Sequence, residues 1–522
     1  MPRKGKCFSS CRAKPKPDCY SPGCYYANGR KYKYCRLAFT RKMGPDCVPM
    51  ARRSYKTLSH PLHNSSQTSP RRANFREKYA KKTATRKIGR FLKANRPKIR
   101  ARFLRSVCSD AGVCIAFGRE AKSIRAHFDQ FSNFNLLSKP AERIGAVSAN
   151  GFVKELTYKR EAYVANAILK SSIDKEVDNL LYEAIVGFYL NRYATRFPSF
   201  LETYGLYQYK ADGVAYNEAK TNKFNRPEVF SDGLALVAKS MPEINESIIK
   251  QACITPLSYA VLIQHLKEAD TLRSKCQKRD FVSNDLLYIL YQIYMTLSSI
   301  SSVFTHYDLH DENVLVYEPV KGKYIEYHYH IDGEQIVFWS KYLAKIIDYG
   351  RCHFNIHGDT SSTGNSRNIH QLLCRAKECQ PNCGYDSGFH WLYPRTGAAL
   401  KQNSYINSSS NNPSHDLRLF AMLGDGLPGM DAHLQALFKK VVYGQGVLKA
   451  KSRYGTKPNT KSGLPQKINN VTDVFKALHE LVTDPVEQGS NSYSYRGYEK
   501  LGELHIYNDG KTPMRWVLPT DK

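Results

Sequence analysis

Two short polar motifs, each next to a run of apolar residues, constrain this chain more than any other feature. The first spans residues 306–313 (HYDLHDEN) and the second spans residues 346–350 (IIDYG). Apolar runs typical of short strands follow the first motif and precede the second. Phosphoryl transfer needs one carboxylate that orients the acceptor hydroxyl and several oxygen ligands that hold Mg²⁺. Asp308 suits the first role, and Asn313 and Asp348 suit the second. One loop separates Asp308 from Asn313, so we expect both side chains to face one cleft.

The two motifs resemble the catalytic loop and the Asp-Phe-Gly element of the protein-kinase superfamily. The resemblance implies an ATP- and Mg²⁺-dependent phosphotransferase in which Asp308 is the catalytic base. It also implies that Asn313 and Asp348 are the metal ligands. His306 would support the loop structurally. His310 stands where many such kinases carry the lysine that touches the γ-phosphate, and a neutral imidazole there supplies less charge.

An upstream strand and helix supply a further pair of charged residues. Residues 163–170 are predicted to form a strand that ends at Lys170, and residues 178–190 are predicted to form a helix. The apolar positions of that helix leave Glu183 on a different face. By resemblance, Lys170 would bind the α- and β-phosphates of ATP and Glu183 would fix it in place. The alternative is a solvated surface lysine and glutamate.

Residues 144–156 are predicted to form a strand, a glycine turn and a second strand. This segment precedes Lys170, where the resemblance implies a cover over the phosphates. It lacks the family's middle glycine and is one residue longer, and an ordinary hairpin turn would have a similar sequence. The residues that would bind ATP here are Gly145, Ser148, Asn150, Gly151 and Val153.

Residues 414–419 begin a helical run that contains Asp416. In kinases a buried aspartate at this point holds the backbone of the catalytic loop, and the resemblance gives Asp416 that supporting role. Ser414 or Asp416 would also serve as a helix N-cap, and the two roles are compatible.

Several departures from the general protein-kinase pattern indicate which kinases the chain resembles most. Residues 324–338 predict an inserted hairpin around Asp332-Gly333, as in haspin-like kinases. Tyr307 replaces the arginine that usually pairs with a phosphorylated activation segment. Residues 106–118 and 148–153 are similar to putative Ser/Thr kinases of large nucleocytoplasmic DNA viruses. The resemblance therefore implies an α+β, bilobal kinase-like fold with a small β-rich lobe, a large helical lobe and a disordered basic N-terminal arm.

We expect five segments in the chain of 522 residues. The last contains a predicted hairpin around residues 508–510. The expected segments are a largely disordered, basic, Cys-containing arm (1–105), a helical lead-in (106–140), a small lobe with an insertion (141–266), a large lobe (267–485) and a C-terminal hairpin extension (486–522).

Most of the formal net charge of +32 lies near the N-terminus. Residues 1–110 hold 30 of the 78 Lys and Arg residues and only 4 of the 46 Asp and Glu residues. Such a segment repels itself and binds polyanions, so nucleic acid is the predicted partner of residues 1–105. A solvated tail or a nuclear-targeting signal is the alternative. No long apolar face accompanies the charge, which disfavours a membrane surface.

Six of the 14 cysteines lie within the first 47 residues, with spacings that only approach those of zinc ligands. A second cluster has better spacing and follows the 346–350 motif. Zn²⁺ is a candidate at both clusters, and free thiols or disulfides are the alternative for the first one. The residues of this second cluster are His370, Cys374, Cys379 and Cys383.

The predicted function is phosphoryl transfer to Ser/Thr hydroxyls of proteins. A small-molecule phosphotransferase is one alternative, suggested by His310 and by the absence of an Ala-Pro-Glu motif after Asp348. A non-catalytic virion or nucleic-acid-binding protein with a kinase-like fold is the other. Without a secretory signal or a membrane-spanning apolar run, we expect an intracellular location in the host cytoplasm or nucleus, or packaging in the virion.

Overall fold

The computed structural model describes residues 24–28, 33–37, 120–148, 151–172, 180–210, 213–254, 258–375, 390–391, 406–441 and 468–517. The chain divides into two compact units, Met1–Phe91 and Leu92–Lys522. In the first unit, β1 (Cys24–Asn28) pairs antiparallel with β2 (Lys33–Leu37). The rest of the predicted basic arm lies outside the described residues. The described part of the second unit is a mixed α/β structure with a sheet-rich region and helices.

The sheet-rich region centres on a six-stranded antiparallel sheet with the order β3-β4-β5-β8-β6-β7. The predicted strand–turn–strand segment forms its first two strands, and the strand predicted to end at Lys170 is its third. The six strands are β3 (Glu142–Ser148), β4 (Gly151–Arg160), β5 (Tyr163–Ser172), β6 (Thr203–Tyr209), β7 (Leu234–Ala238) and β8 (Tyr259–Gln264).

Apolar side chains cover both faces of this sheet. Successive residues of β8 join different buried clusters: Ala260 and Leu262 belong to one, and Tyr259 and Val261 to the other. This alternation follows from the two-residue period of a strand. The helices of this part of the chain are α1 (Glu120–His127), α2 (Leu180–Leu190), α3 (Val214–Lys220), α4 (Pro227–Gly233) and α5 (Glu246–Ile254), with 3₁₀ turns at Asp129–Phe131, Phe134–Leu136 and Met241–Glu243.

The remainder of the described chain is richer in helices. Its helices are α6 (Leu272–Lys275), α7 (Arg279–Asn284), α8 (Leu286–Ser299), α9 (Ser366–Arg375), α10 (Arg418–Leu423), α11 (Ala432–Lys440), α12 (Val471–Thr483) and α13 (Pro485–Ser494), with 3₁₀ turns at Tyr349–Arg351 and His415–Leu417. Most of α8 is buried, as expected for a helix that is apolar on nearly all sides.

Several short strands accompany these helices. They are β9 (Asp270–Thr271), β10 (Phe304–Thr305), β11 (Val314–Tyr317), β12 (Lys323–Ile331), β13 (Glu334–Ser340), β14 (Leu343–Ile346), β15 (His353–Phe354), β16 (His390–Trp391), β17 (Ile406–Asn407), β18 (Glu499–Tyr507) and β19 (Arg515–Val517). They form two-stranded pairs β10-β15 and β16-β17, a sheet β14-β11-β9, and a sheet β13-β12-β18-β19.

The structure confirms the predicted hairpin at Asp332-Gly333. Ile331 pairs with Glu334, which leaves a two-residue turn whose φ angles are +51° and +96°. Positive φ at both turn residues suits glycine and aspartate and matches the twist of the flanking strands.

The C-terminal strands differ from the predicted hairpin extension in one respect. β18 and β19 pair antiparallel, as predicted, but β18 also pairs in parallel with β12. The extension is therefore part of the β13-β12-β18-β19 sheet. Parallel pairing of remote strands has no local turn signal, which is why sequence patterns did not predict it.

Candidate active site

The pairing of β11 with β14 brings the two polar motifs together. Because these strands are antiparallel, the start of β11 after Asn313 lies beside the end of β14 before Asp348. Two hydrogen bonds join the 306–313 loop, which precedes β11, to Ile347, which follows β14. The Ile347 N–H donates to the Asn313 carbonyl at 3.0 Å, and His306 Nε2 donates to the Ile347 carbonyl at 2.9 Å. The two motifs therefore form one local structure.

Asp416 holds the backbone of the 306–313 loop. Its two carboxylate oxygens accept the N–H groups of His306 at 2.8 Å and Tyr307 at 2.9 Å. Tyr307 has φ +64°, a left-handed conformation that a bulky residue rarely adopts without support. Burial raises the pKa of Asp416 to about 7, against the opposing effect of the two N–H donors. These contacts are those that the resemblance implied for this aspartate.

Two arginines bind the carboxylate of Asp308. Arg351 Nη1 lies 3.1 Å from one oxygen, and Arg418 Nη1 donates to the other. The side chains of Asp308 and Arg418 are each 12% exposed. Burial opposes ionisation, but Arg351 and Arg418 outweigh it and lower the pKa of Asp308 below its ordinary value. Asp308 is therefore a carboxylate at neutral pH.

Asn313 and His310 lie on either side of a tight turn in the same loop. Asn313 Nδ2 donates to the carbonyl of Asp308 at 2.9 Å, which fixes the amide across the loop. The ring nitrogen Nδ1 of His310 accepts from the backbone N–H of Glu312 at 3.2 Å. Burial lowers the pKa of His310, so the ring is neutral at pH 7, and its proton then lies on Nε2. Nε2 is 4.0 Å from Asp308 Oδ1, beyond hydrogen-bond distance.

Lys170 connects the six-stranded sheet to the second motif. Its Nζ lies 2.7 Å from Glu183 Oε2 and 3.3 Å from Asp348 Oδ1. Glu183 is almost fully buried on α2, whereas the Asp348 side chain is 43% exposed. The charge of Lys170 is the main reason that the pKa of Asp348 is below its ordinary value. The structure thus brings together a lysine and two carboxylates from three separate elements.

The proposed phosphate cover is only partly described. Gly145 and Ser148 lie on β3, and Asn150 lies outside the described residues. Val153 on β4 pairs directly with Lys170. Gly151 has a local reason to be glycine, because a Cβ there would lie 2.4 Å from the Ser171 carbonyl oxygen of β5. Close approach of two strands therefore explains Gly151 without a ligand.

Sequence patterns missed Arg351 and Arg418. Arg351 follows directly after the 346–350 motif, and Arg418 stands two positions after Asp416. A lone arginine at either position has no characteristic spacing to the Asp308 loop. Only the folded chain shows that both guanidinium groups meet one carboxylate.

The proposed cysteine and histidine cluster is mostly outside the described residues. His370 is buried on α9, and its ring lies 5.3 Å from that of Tyr182. Cys374 is on the same helix, whereas Cys379 and Cys383 are outside the described residues. Zinc at this cluster therefore stays a prediction.

Comparison with family models and with curated proteins identifies no relative of this chain. No family model matches the chain, and no curated protein matches it. Among the described residues, no helix is long and apolar enough to cross a membrane.

Proposed function

We propose that this chain is an ATP- and Mg²⁺-dependent kinase that phosphorylates Ser/Thr hydroxyls of proteins. The observation that carries the proposal is the contact of Lys170 with both Glu183 and Asp348. Phosphoryl transfer needs a fixed lysine close to a metal-binding carboxylate, and these three side chains supply that arrangement. The adjacent Asp308 loop supports the same proposal.

The fold also supports a kinase-like arrangement with two lobes. An antiparallel sheet carries Lys170, and the helix that follows carries Glu183. A chiefly helical part then carries Asp308, Asn313 and Asp348 on loops at strand ends. This order along the chain is that of the protein-kinase superfamily.

The residues fit a nucleotide with its metal. Oxygen donors from Asp348 and Asn313 suit Mg²⁺, which prefers hard oxygen ligands. Lys170 would bind phosphate oxygens, and Glu183 would keep it oriented. When bound, Mg²⁺ neutralises phosphate charge. Asp308 would orient the acceptor hydroxyl and accept its proton, and Arg351 and Arg418 keep it ionised for that task.

Substitution of Asp308 tests the proposed reaction. We expect Asp308→Asn to lower phosphate transfer from radiolabelled ATP by roughly 10²–10⁴-fold while ATP binding is retained. Glu312→Gln is the matched control, because Glu312 belongs to the same loop but its side chain is 51% exposed. Full transfer activity in Asp308→Asn would refute the assignment of the base.

The acceptor class is tested with the same protein and two substrates. Incubation with a mixture of proteins should give phosphoserine and phosphothreonine. Turnover of small alcohols with no labelled protein would instead assign a small-molecule phosphotransferase. Neither product, under conditions in which ATP binds, would favour a non-catalytic protein with a kinase-like fold.

The basic arm supports a second part of the proposal, namely attachment to nucleic acid. Removal of residues 1–105 should abolish binding of a nucleic acid duplex or single strand. Binding by the full chain should weaken steeply as salt rises, because lysines and arginines release counterions from phosphates. Retention of nucleic acid by the truncated chain would show that the arm is not the binding element. The proposed location is the host cell or the virion.

A further inference from the structure

Histidines and glutamates from two remote strands share one face of the β13-β12-β18-β19 sheet. β12 and β18 run parallel, so Glu326 lies opposite Glu503 and His328 lies opposite His505. Alternate residues of a strand point to the same face, and His330 extends this row. Ligand atoms of His328, Glu503 and His505 all lie within 4.8 Å of one another. None of these residues belongs to the proposed active site.

We propose that His328, His505 and Glu503 bind one divalent transition-metal ion of the Zn²⁺ type. Two imidazole nitrogens and one carboxylate oxygen are a ligand set that zinc accepts, with water as the fourth ligand. Mg²⁺ and Ca²⁺ prefer oxygen ligands alone, so this donor set selects against them. The three side chains are between 11% and 29% exposed, so an ion can enter from solvent.

The histidines are already oriented as metal ligands would be. His505 Nε2 lies 3.5 Å from Glu503 Oε2, close to the roughly 3.4 Å that separates two ligand atoms around a tetrahedral zinc ion. His505 Nδ1 lies 3.1 Å from His330 Nε2. Ligating histidines usually hydrogen-bond through their second nitrogen, which fixes the ring. His330 supplies that partner here.

His328 has the same arrangement with different partners. Its Nε2 lies 2.7 Å from Glu326 Oε1, and its Nδ1 lies 2.7 Å from Gln335 Nε2. A half-turn of the Gln335 amide presents its oxygen to an Nδ1 proton, which leaves Nε2 for the metal. Each histidine thus directs one nitrogen to a carboxylate and the other to a polar partner.

Lys500 binds one oxygen of each of the two carboxylates in this cluster. Its Nζ lies 2.9 Å from Glu326 Oε2 and 2.7 Å from Glu503 Oε1. The other oxygen of each carboxylate faces a histidine. One lysine neutralises only one of the two negative charges, so one negative charge remains beside the two imidazole rings. That charge favours a divalent ion, which would join the inserted hairpin to the C-terminal strand.

Zinc binding by the full chain tests this proposal. The metal-free protein is equilibrated at a buffered free Zn²⁺ concentration, and bound zinc per chain is measured by mass spectrometry. We expect the double variant His328→Gln/His505→Gln to bind one zinc fewer than the unchanged chain. His357→Gln, at an exposed histidine elsewhere, should bind as many as the unchanged chain. Cysteines bind equally in all three proteins, so the difference reports this site alone.

Equal zinc content in the double variant and the unchanged chain would overturn the proposal. Near-ultraviolet circular dichroism establishes whether the double variant is folded. If it is not, Gln335→Leu decides the question, because Gln335 is exposed and positions His328 without being a ligand. Loss of such a partner weakens metal affinity by roughly 10–100-fold. Unchanged zinc affinity in Gln335→Leu would then overturn the proposal.

Discussion

The ion pair between Asp308 and Arg418 predicts a measurable coupling energy. The perturbation is a double-mutant cycle made of Asp308→Ala, Arg418→Met and the combination of the two. Both side chains are 12% exposed, and the guanidinium donates directly to the carboxylate. A hydrogen bond to a charged group contributes about 1.5–3 kcal/mol when it is buried. Arg351 still binds Asp308 after Arg418 is replaced, so the lower part of that range applies.

We therefore expect a coupling energy of about 2 kcal/mol in the free energy of unfolding. Urea denaturation of the four proteins, followed by fluorescence, measures it. Lys321 and Glu268 form the control pair, since their side chains are 86% and 71% exposed and 3.7 Å apart. The cycle of Lys321→Met and Glu268→Ala should give at most about 0.5 kcal/mol, because water and salt screen exposed pairs.

A coupling energy for Asp308 and Arg418 no larger than that of the control pair would refute the reasoning. It would mean that solvent reaches the pair despite its burial. The same cycle also bears on the proposed active site. If Arg418 keeps Asp308 ionised, Arg418→Met should raise the pKa of Asp308, which NMR titration of the carboxyl carbon measures.

Three further predictions concern stability, each measured by urea denaturation. Gly151→Ala should lower the free energy of unfolding by more than about 1 kcal/mol, because the new Cβ would lie 2.4 Å from a backbone oxygen. Gly489→Ala is the control: Gly489 faces open space on the exposed helix α13, so this change should raise the free energy of unfolding by about 0.5–1 kcal/mol. Changes of the same sign in both variants would contradict this. Asp416→Ala should lower the free energy of unfolding by about 3 kcal/mol, because two buried N–H groups lose their acceptor. Asp431→Ala, at an exposed helix N-cap, should lower it by only about 1 kcal/mol. Equal losses in the two variants would show that the N–H groups of the loop find other acceptors. Burial lowers the pKa of His306 to about 4 in the folded chain, below its ordinary 6.5. The contribution of His306 to stability should therefore be complete above pH 6.5 and fall by about 3 kcal/mol as pH drops towards 4. An unaltered pH profile in His306→Gln would disprove this.

Local patterns predicted much of the sheet-rich region. The strand that ends near Lys170 and the helix that carries Glu183 follow from apolar spacing over a few residues. The hairpin at Asp332-Gly333 follows from turn residues that tolerate positive φ. These features depend on neighbours in the sequence, so they are visible without the fold.

The candidate site was predicted less completely. Sequence order suggested that Lys170, Glu183 and Asp348 belong together, and the structure brings them into contact. Arg351 and Arg418 were missed, because the contacts with Asp308 depend on how the turn after Asp348 folds and on where helix α10 packs. The exact partners of a buried carboxylate are a property of tertiary packing, since burial decides which charges must meet.

By itself, the sequence determined the short elements, the polar loops at their ends and the concentration of positive charge before residue 111. Tertiary structure alone decided that β18 lies parallel to β12, which places His505 beside His328. The physical reason is range. Periodicity and turn chemistry act over a few residues, whereas pairing of strands far apart in the chain requires the intervening segments to fold and close the loop first.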